Sequence, residues 1–140
     1  MKSVYVFGPI YLSGENYLSV YKSINALCER FFDKVIGTYP DFWESQESPN
    51  EFYKRTYDTI TQCNLFIAEV SSPSHGVGME LQMAQEHNIP VIALVKDNID
   101  FDKSLMVLGL PVLEEIIRYS NPDDLLDKLS KSLEARKGGL

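Results

Sequence analysis

The chain has 140 residues, of which 44% are hydrophobic, 24% charged and 11% aromatic, the profile of one ordinary domain with enough core to fold without a disulfide or metal staple. Its 13 basic and 20 acidic residues give a net charge of −7. That balance argues against binding nucleic acid polymers or anionic membrane surfaces, which both need a basic face, but allows one small anionic ligand held by amides and hydroxyls. No apolar stretch approaches the length of a membrane span, and the N-terminus reads directly into a strand rather than a secretion signal. Cys28 and Cys63 stand far apart among apolar neighbours, with no metal-ligand spacing. They read as buried free thiols, which fits a reducing cytoplasm.

In chain order, Ser3 to Gly8 is a short β-favouring run ended by Gly8-Pro9. Tyr17, Val20, Ile24, Leu27, Cys28 and Phe31 then recur at helical spacing, and Lys34 to Thr38 is a second strand. Pro49-Asn50 opens a second helix with Asn50 as its predicted cap, and Phe52, Thr56, Ile60 and Cys63 share its inner face. Leu65 to Val70 is the strongest strand. A Ser-Ser-Pro-Ser loop leads into a helix beginning near Gly76, with Val77, Leu81 and Ala84 turned inward. Pro90 to Val95 is a fourth strand, and Val112 to Tyr119, despite its two glutamates, a fifth. Asn121-Pro122-Asp123-Asp124 starts the last helix with a cap, a first-turn proline and acids against the positive end of the dipole. The alternation predicts one domain over residues 1–134 and a loose tail over 135–140.

Strands alternating with helices require crossover connections, hence an α/β fold with a five-stranded, mainly parallel sheet and helices on both faces. The expected order is 2-1-3-4-5, flavodoxin-like, with ligands beyond the carboxyl ends of strands one and three. The loops after Phe7 and Val70 lie there. In the second, small residues and hydroxyls precede a helix start whose free amides favour an anion. Gly76 and Gly78 permit close approach of a ligand to the backbone, and Glu80 is expected in the first turn or so, held ionised by the helix dipole. Such a carboxylate can attack or stabilise an oxocarbenium-like sugar carbon. The plainer alternative is that Glu80 only complements the dipole and the glycines only turn the chain.

The run Ala68-Glu69-Val70 through Gly76-Val77-Gly78-Met79-Glu80-Leu81, with Val4-Tyr5-Val6-Phe7-Gly8-Pro9-Ile10, resembles the nucleoside 2-deoxyribosyltransferase superfamily. Within it the resemblance is nearest to the 2′-deoxynucleoside 5′-phosphate N-hydrolase (Rcl) type, and it spans Val4 to about Gly109. It implies that Glu80 is the nucleophile that captures the deoxyribose C1′, and that Tyr5 stands beside it. It further implies that Gly8, Pro9, Ile10, Gly76, Gly78 and Thr56 surround the substrate and that Ser74 binds its phosphate. Ser104 would be contributed to the same phosphate by a neighbouring subunit, which implies a homodimer with composite sites. No cofactor or metal is implied.

Two departures from the pattern matter. Thr56 occupies the place of the general-acid aspartate, and a hydroxyl of ordinary acidity cannot protonate a departing base as a carboxylic acid can. Asp58 is two helical steps away, about 200° around the helix, and reads as solvated; Asp41 and Glu44 can enter from the loop above. The second departure is Tyr11, where the hydrolases often carry an arginine; Lys96 can compensate. His75 reads as a surface imidazole. Glu69, a carboxylate in an apolar strand, needs a partner that the sequence does not reveal. Among the aromatics Tyr39, Phe42, Trp43, Phe52, Tyr53 and Tyr57, packing explains most, with Phe42 or Trp43 available to a nucleobase. The resulting expectation is a cytoplasmic N-glycosidase acting on a small (2-deoxy)nucleoside 5′-monophosphate. The alternatives are a base-exchanging deoxyribosyltransferase and a nucleotide-binding module that lacks turnover because of Thr56.

Overall fold

The computed structural model describes residues 2–12, 14–37 and 46–139; Tyr39, Asp41, Phe42, Trp43 and Glu44 lie outside them. Strand β1 (Ser3–Phe7) is followed by a small hairpin, β2 (Tyr11–Leu12) and β3 (Glu15–Asn16), and then by α1 (Leu18–Cys28) and β4 (Lys34–Gly37). Next come α2 (Pro49–Ile60), β5 (Leu65–Glu69), α3 (His75–Glu86), β6 (Val91–Lys96), α4 (Leu105–Leu108), β7 (Leu113–Tyr119) and α5 (Pro122–Arg136). The order of the main sheet is β4-β1-β5-β6-β7, with every neighbouring pair parallel. Renumbered within the sheet, this is the expected 2-1-3-4-5, and the reversal between β1 and β5 places the crevice above their carboxyl ends.

Strand alternation divides the core in two. Val4, Val6, Leu65, Ile67, Ile92 and Leu94 face α1 and α5, joining Ile24, Leu125, Leu129 and Leu133. Tyr5, Phe7, Phe66, Ala68, Ala93 and Val95 face the other way, toward Ile60 of α2, Val77, Leu81 and Ala84 of α3, and Phe101. Both faces are covered, so β5 and β6 read as continuous apolar runs rather than as alternating ones. Each fully buried Leu, Ile or Phe here stabilises the fold by roughly 2 kcal/mol.

Local chemistry accounts for the helix starts. The cap of α2 is Ser48 rather than Asn50: its Oγ accepts the Glu51 amide at 3.3 Å and donates to Glu51 Oε1 at 3.0 Å. Pro49 then takes the first helical position, where its missing N–H costs nothing. Asn121 caps α5 as expected, accepting the Asp124 amide at 2.9 Å. Of the two glutamates of β7, Glu114 is exposed and Glu115 half-buried, and both pair with Arg136 of α5. The helical hydrogen bonding of α5 thus runs two residues into the segment expected to be a tail. The β2–β3 hairpin and α4 are additions to the expected plan. The hairpin turns on Gly14 at φ +81°, a left-handed conformation that favours glycine. Among the described residues no helix is long and apolar enough to cross a membrane.

Candidate active site

Tyr5 and Glu80 meet on the α3 face of the sheet. Tyr5 is 1% exposed; its ring stacks on Phe7 at 4.6 Å and meets Phe66 edge-on at 5.4 Å, which fixes where its hydroxyl points. That hydroxyl donates to the Glu80 carboxyl. Glu80 is the sixth residue of α3, in its second turn, and its side chain leans back toward the helix N-terminus, as helical side chains do. Its Oε1 lies 4.0 Å from where a Cβ on Gly76 would sit, and its Oε2 is buried with no hydrogen-bond partner among the described residues.

This placement corrects the expected electrostatics. The dipole effect fades beyond the first turn, so burial dominates and pushes the Glu80 carboxyl up from 4.5 to about 7, the Tyr5 hydrogen bond opposing. At neutral pH the group is therefore poised between its two forms instead of being held ionised. A desolvated carboxylate is a stronger base and nucleophile than a hydrated one, and its field acts in a low-dielectric surrounding.

The α3 N-terminus borders this carboxyl. Ser74 caps the helix, its Oγ accepting the Val77 amide at 3.4 Å, which leaves its hydroxyl proton free to donate. His75 and Gly76 open the helix, where amides have no intrahelical acceptor. A Cβ added at Gly78 would meet nothing within 4 Å, so that glycine borders open space. His75 is exposed.

Thr56 is 7% exposed on the inner side of α2, and its Oγ1 is buried with no partner among the described residues. Asp58 points to the surface, where it pairs with Lys54 at 2.8 Å. Gly8, Pro9 and Ile10 line the rim above β1, but Gly8 is packed against the α1 side: a Cβ there would lie 2.4 Å from the Tyr21 hydroxyl and 2.7 Å from Glu69 Cβ. The Tyr21 hydroxyl in turn donates to the Pro9 carbonyl at 2.5 Å. Tyr11 is 65% exposed on β2. Lys96 lies with its Nζ 5.0 Å from the centroid of the Tyr17 ring, a cation–π contact rather than a free surface charge. Ser104 precedes α4 without a side-chain cap bond, beside the exposed Leu105 and Met106. On α2, half-buried Phe52 lies under the Arg55 guanidinium at 5.5 Å, Tyr57 packs against the core and meets the His87 ring at 5.4 Å, and exposed Tyr53 stacks on Tyr57 at 6.2 Å. Packing accounts for those three.

Comparison with known proteins follows the same lines. No family model matches the chain. A Syntrophotalea carbinolica protein named "Putative 2′-deoxynucleoside 5′-phosphate N-hydrolase 1" is 32% identical over 125 residues, covering 86% of this chain and 87% of the relative. The chain belongs to the 2′-deoxynucleoside 5′-phosphate N-hydrolase family. A Methanosarcina mazei relative of the same name is 32% identical over 130 residues, covering 89% of this chain and 79% of the relative. In fold, the chain resembles a Clostridium botulinum CMP N-glycosidase, BcmB, with a TM-score of 0.72 at 22% identity over 94% of this chain and 99% of that one. A conserved Enterococcus faecalis V583 protein shares the fold with a TM-score of 0.63 at 16% identity over the same shares. At those identities the two structures speak for the fold alone.

Proposed function

We propose that the protein is a nucleotide N-glycosidase that hydrolyses the bond between base and sugar in a 2-deoxynucleoside 5′-monophosphate through a glycosyl-enzyme on Glu80. The observation that carries this reading is the Glu80 carboxyl itself: buried, oriented by Tyr5, and with one oxygen that has no partner among the described residues, beside the opening of α3. A buried oxygen without a hydrogen bond is costly, and an active site is where such a cost is offset by what the group does to substrate. In the first step an oxygen of Glu80 bonds to C1′ while the C1′–N bond breaks, its electron pair leaving with the base, which takes up a proton. Water then attacks C1′, gives up a proton and releases the carboxylate. The 5′-phosphate would sit at Ser74 and the amides of His75 and Gly76, where donors and helix dipole favour an anion. Gly8, Pro9, Ile10, Gly76 and Gly78 would let the backbone approach the sugar.

The protein would act as a homodimer in which Ser104 reaches the neighbouring phosphate; Leu105 and Met106, 74% and 88% exposed, offer apolar surface for a second copy to cover. The test is chromatographic: incubation with deoxynucleoside and ribonucleoside monophosphates and with free nucleosides should release base from the deoxynucleotides, and Glu80→Gln should abolish release. Equal release by wild type and Glu80→Gln would sink the assignment. An added acceptor base that appears in a new nucleoside would make the protein a transferase instead.

One observation favours a second reading. The buried hydroxyl of Thr56 is no acid, so the chain can bind a deoxynucleotide without turning it over. Calorimetric binding without base release over hours would select that reading.

A further inference from the structure

The proposed chemistry leaves one buried acid unused. Glu69 ends β5 on the α1 side, 1% exposed, and both of its oxygens accept hydrogen bonds: Oε1 from the Ser71 amide at 2.6 Å, Oε2 from the Tyr119 hydroxyl. Burial pushes the Tyr119 phenol above its ordinary value, so it stays protonated and donates. Each contact leads to a different loop at the rim. Ser71 opens the segment that runs to Ser74, and its Oγ also accepts the Lys96 amide at 2.8 Å. The Tyr119 hydroxyl lies 3.0 Å from that of Tyr17, whose amide donates to the Ile10 carbonyl at 2.7 Å. Beside Glu69 Cβ is the slot where Gly8 fits without a side chain, with Tyr21 holding Pro9 from the other side. Lys96, over the Tyr17 ring, supplies the nearby positive charge.

We infer that Glu69 is a positioning residue whose carboxylate fixes the two loops flanking the candidate site, residues 8–12 and 70–74, relative to one another. An ionised carboxylate gives both bonds charge assistance at once; a glutamine would keep its oxygen for the Ser71 amide and turn its NH2 to the Tyr119 hydroxyl, so that both become ordinary neutral bonds. The catalytic consequence rests on the N-glycosidase reading: with the Ser74 loop displaced from the Gly8–Ile10 turn, phosphate and sugar are no longer held together, so KM should suffer more than kcat.

Amide hydrogen exchange with mass spectrometry, on wild type, Glu69→Gln and Tyr119→Phe, tests this alongside KM and kcat for deoxynucleotides. Glu69→Gln should speed exchange at least about tenfold in both 8–17 and 70–76 while the β5 and β6 core stays protected, the signature of charge assistance lost from both bonds at once. Tyr119→Phe should loosen 8–17 alone. KM for Glu69→Gln should rise about fivefold or more with kcat within about twofold. Wild-type exchange in both loops, faster exchange spread evenly through the sheet, or an unchanged KM would overturn the inference. If Glu69→Gln does not fold, Tyr119→Phe decides: unchanged exchange over 8–17 overturns it. Exchange needs no turnover, so a wild type that releases no base removes the N-glycosidase reading without touching this one.

Discussion

Replacing Glu80 by Gln should make the protein more stable, and increasingly so as pH rises. Moving the carboxyl from 4.5 to about 7 corresponds to roughly 3 kcal/mol of preference for the neutral form. Between those values the folded chain keeps a proton that the unfolded chain has released, so stability falls as pH rises through this window. Below 4.5 both states are protonated and nothing is lost; above 7 the full penalty stands. Glutamine cannot ionise, still accepts the Tyr5 hydroxyl, and puts an NH2 where Oε2 already lacked a partner. Urea unfolding of both proteins should therefore give a difference below about 1 kcal/mol at pH 5 and roughly 3 kcal/mol in favour of Glu80→Gln at pH 8. In melting temperature the gain at pH 8 is on the order of 10 °C for a chain of this length. A difference that does not change with pH, or a variant less stable than wild type at pH 8, would refute the claim that burial sets this carboxyl's acidity.

Base release should follow the same group in the opposite direction: kcat/KM climbs with pH through about 7 as Glu80 ionises, and Glu80→Gln falls by at least about 10³-fold. Tyr5→Phe removes the bond that favours the charged form, so the rising limb of the pH–rate profile should move to higher pH, the opposite shift disproving the contact. Gly8→Ala drives a methyl into Tyr21 and Glu69 and should cost about 1–3 kcal/mol by denaturant titration. Thr56→Val deletes a buried hydroxyl that has no partner among the described residues. If that hydroxyl touches no substrate, the variant should be at least as stable as wild type and bind deoxynucleotide equally well by calorimetry.

Much of this was legible before any coordinates. Short apolar runs and helical spacings mark all five sheet strands and the four longer helices, because the continuous apolar stretches of β5 and β6 and the stripes of α1 and α5 are strong local signals. The helical spacing after the Ser-Ser-Pro-Ser loop put Glu80 on the third helix, and the resemblance to the deoxyribosyltransferase superfamily implied Tyr5 beside it. What failed was quantity and distance. The ionisation of Glu80 depends on how deeply its carboxyl is desolvated, which a position in a helix does not reveal. Glu69 signalled that it needed a partner, but that partner, Tyr119, lies 50 residues away on β7, a pairing only the folded sheet creates. The β2–β3 hairpin has two residues per strand, too few to show a period. Ser48 outcompeted Asn50 as the cap because Pro49 takes the first helical position, a rule the dipeptide itself announces.

The odd–even geometry of a strand has a further result. Tyr5 reaches toward α3, whereas the next but two residue, Gly8, abuts Glu69 on the α1 side, so two interior acids share one rim yet stand back to back across the sheet. Glu69 is not among the groups that perturb Glu80, nor Glu80 among those that perturb Glu69. The backbone layer is thus a partition: the acid proposed to act on the sugar and the acid proposed to hold the loops each face their own half of the core.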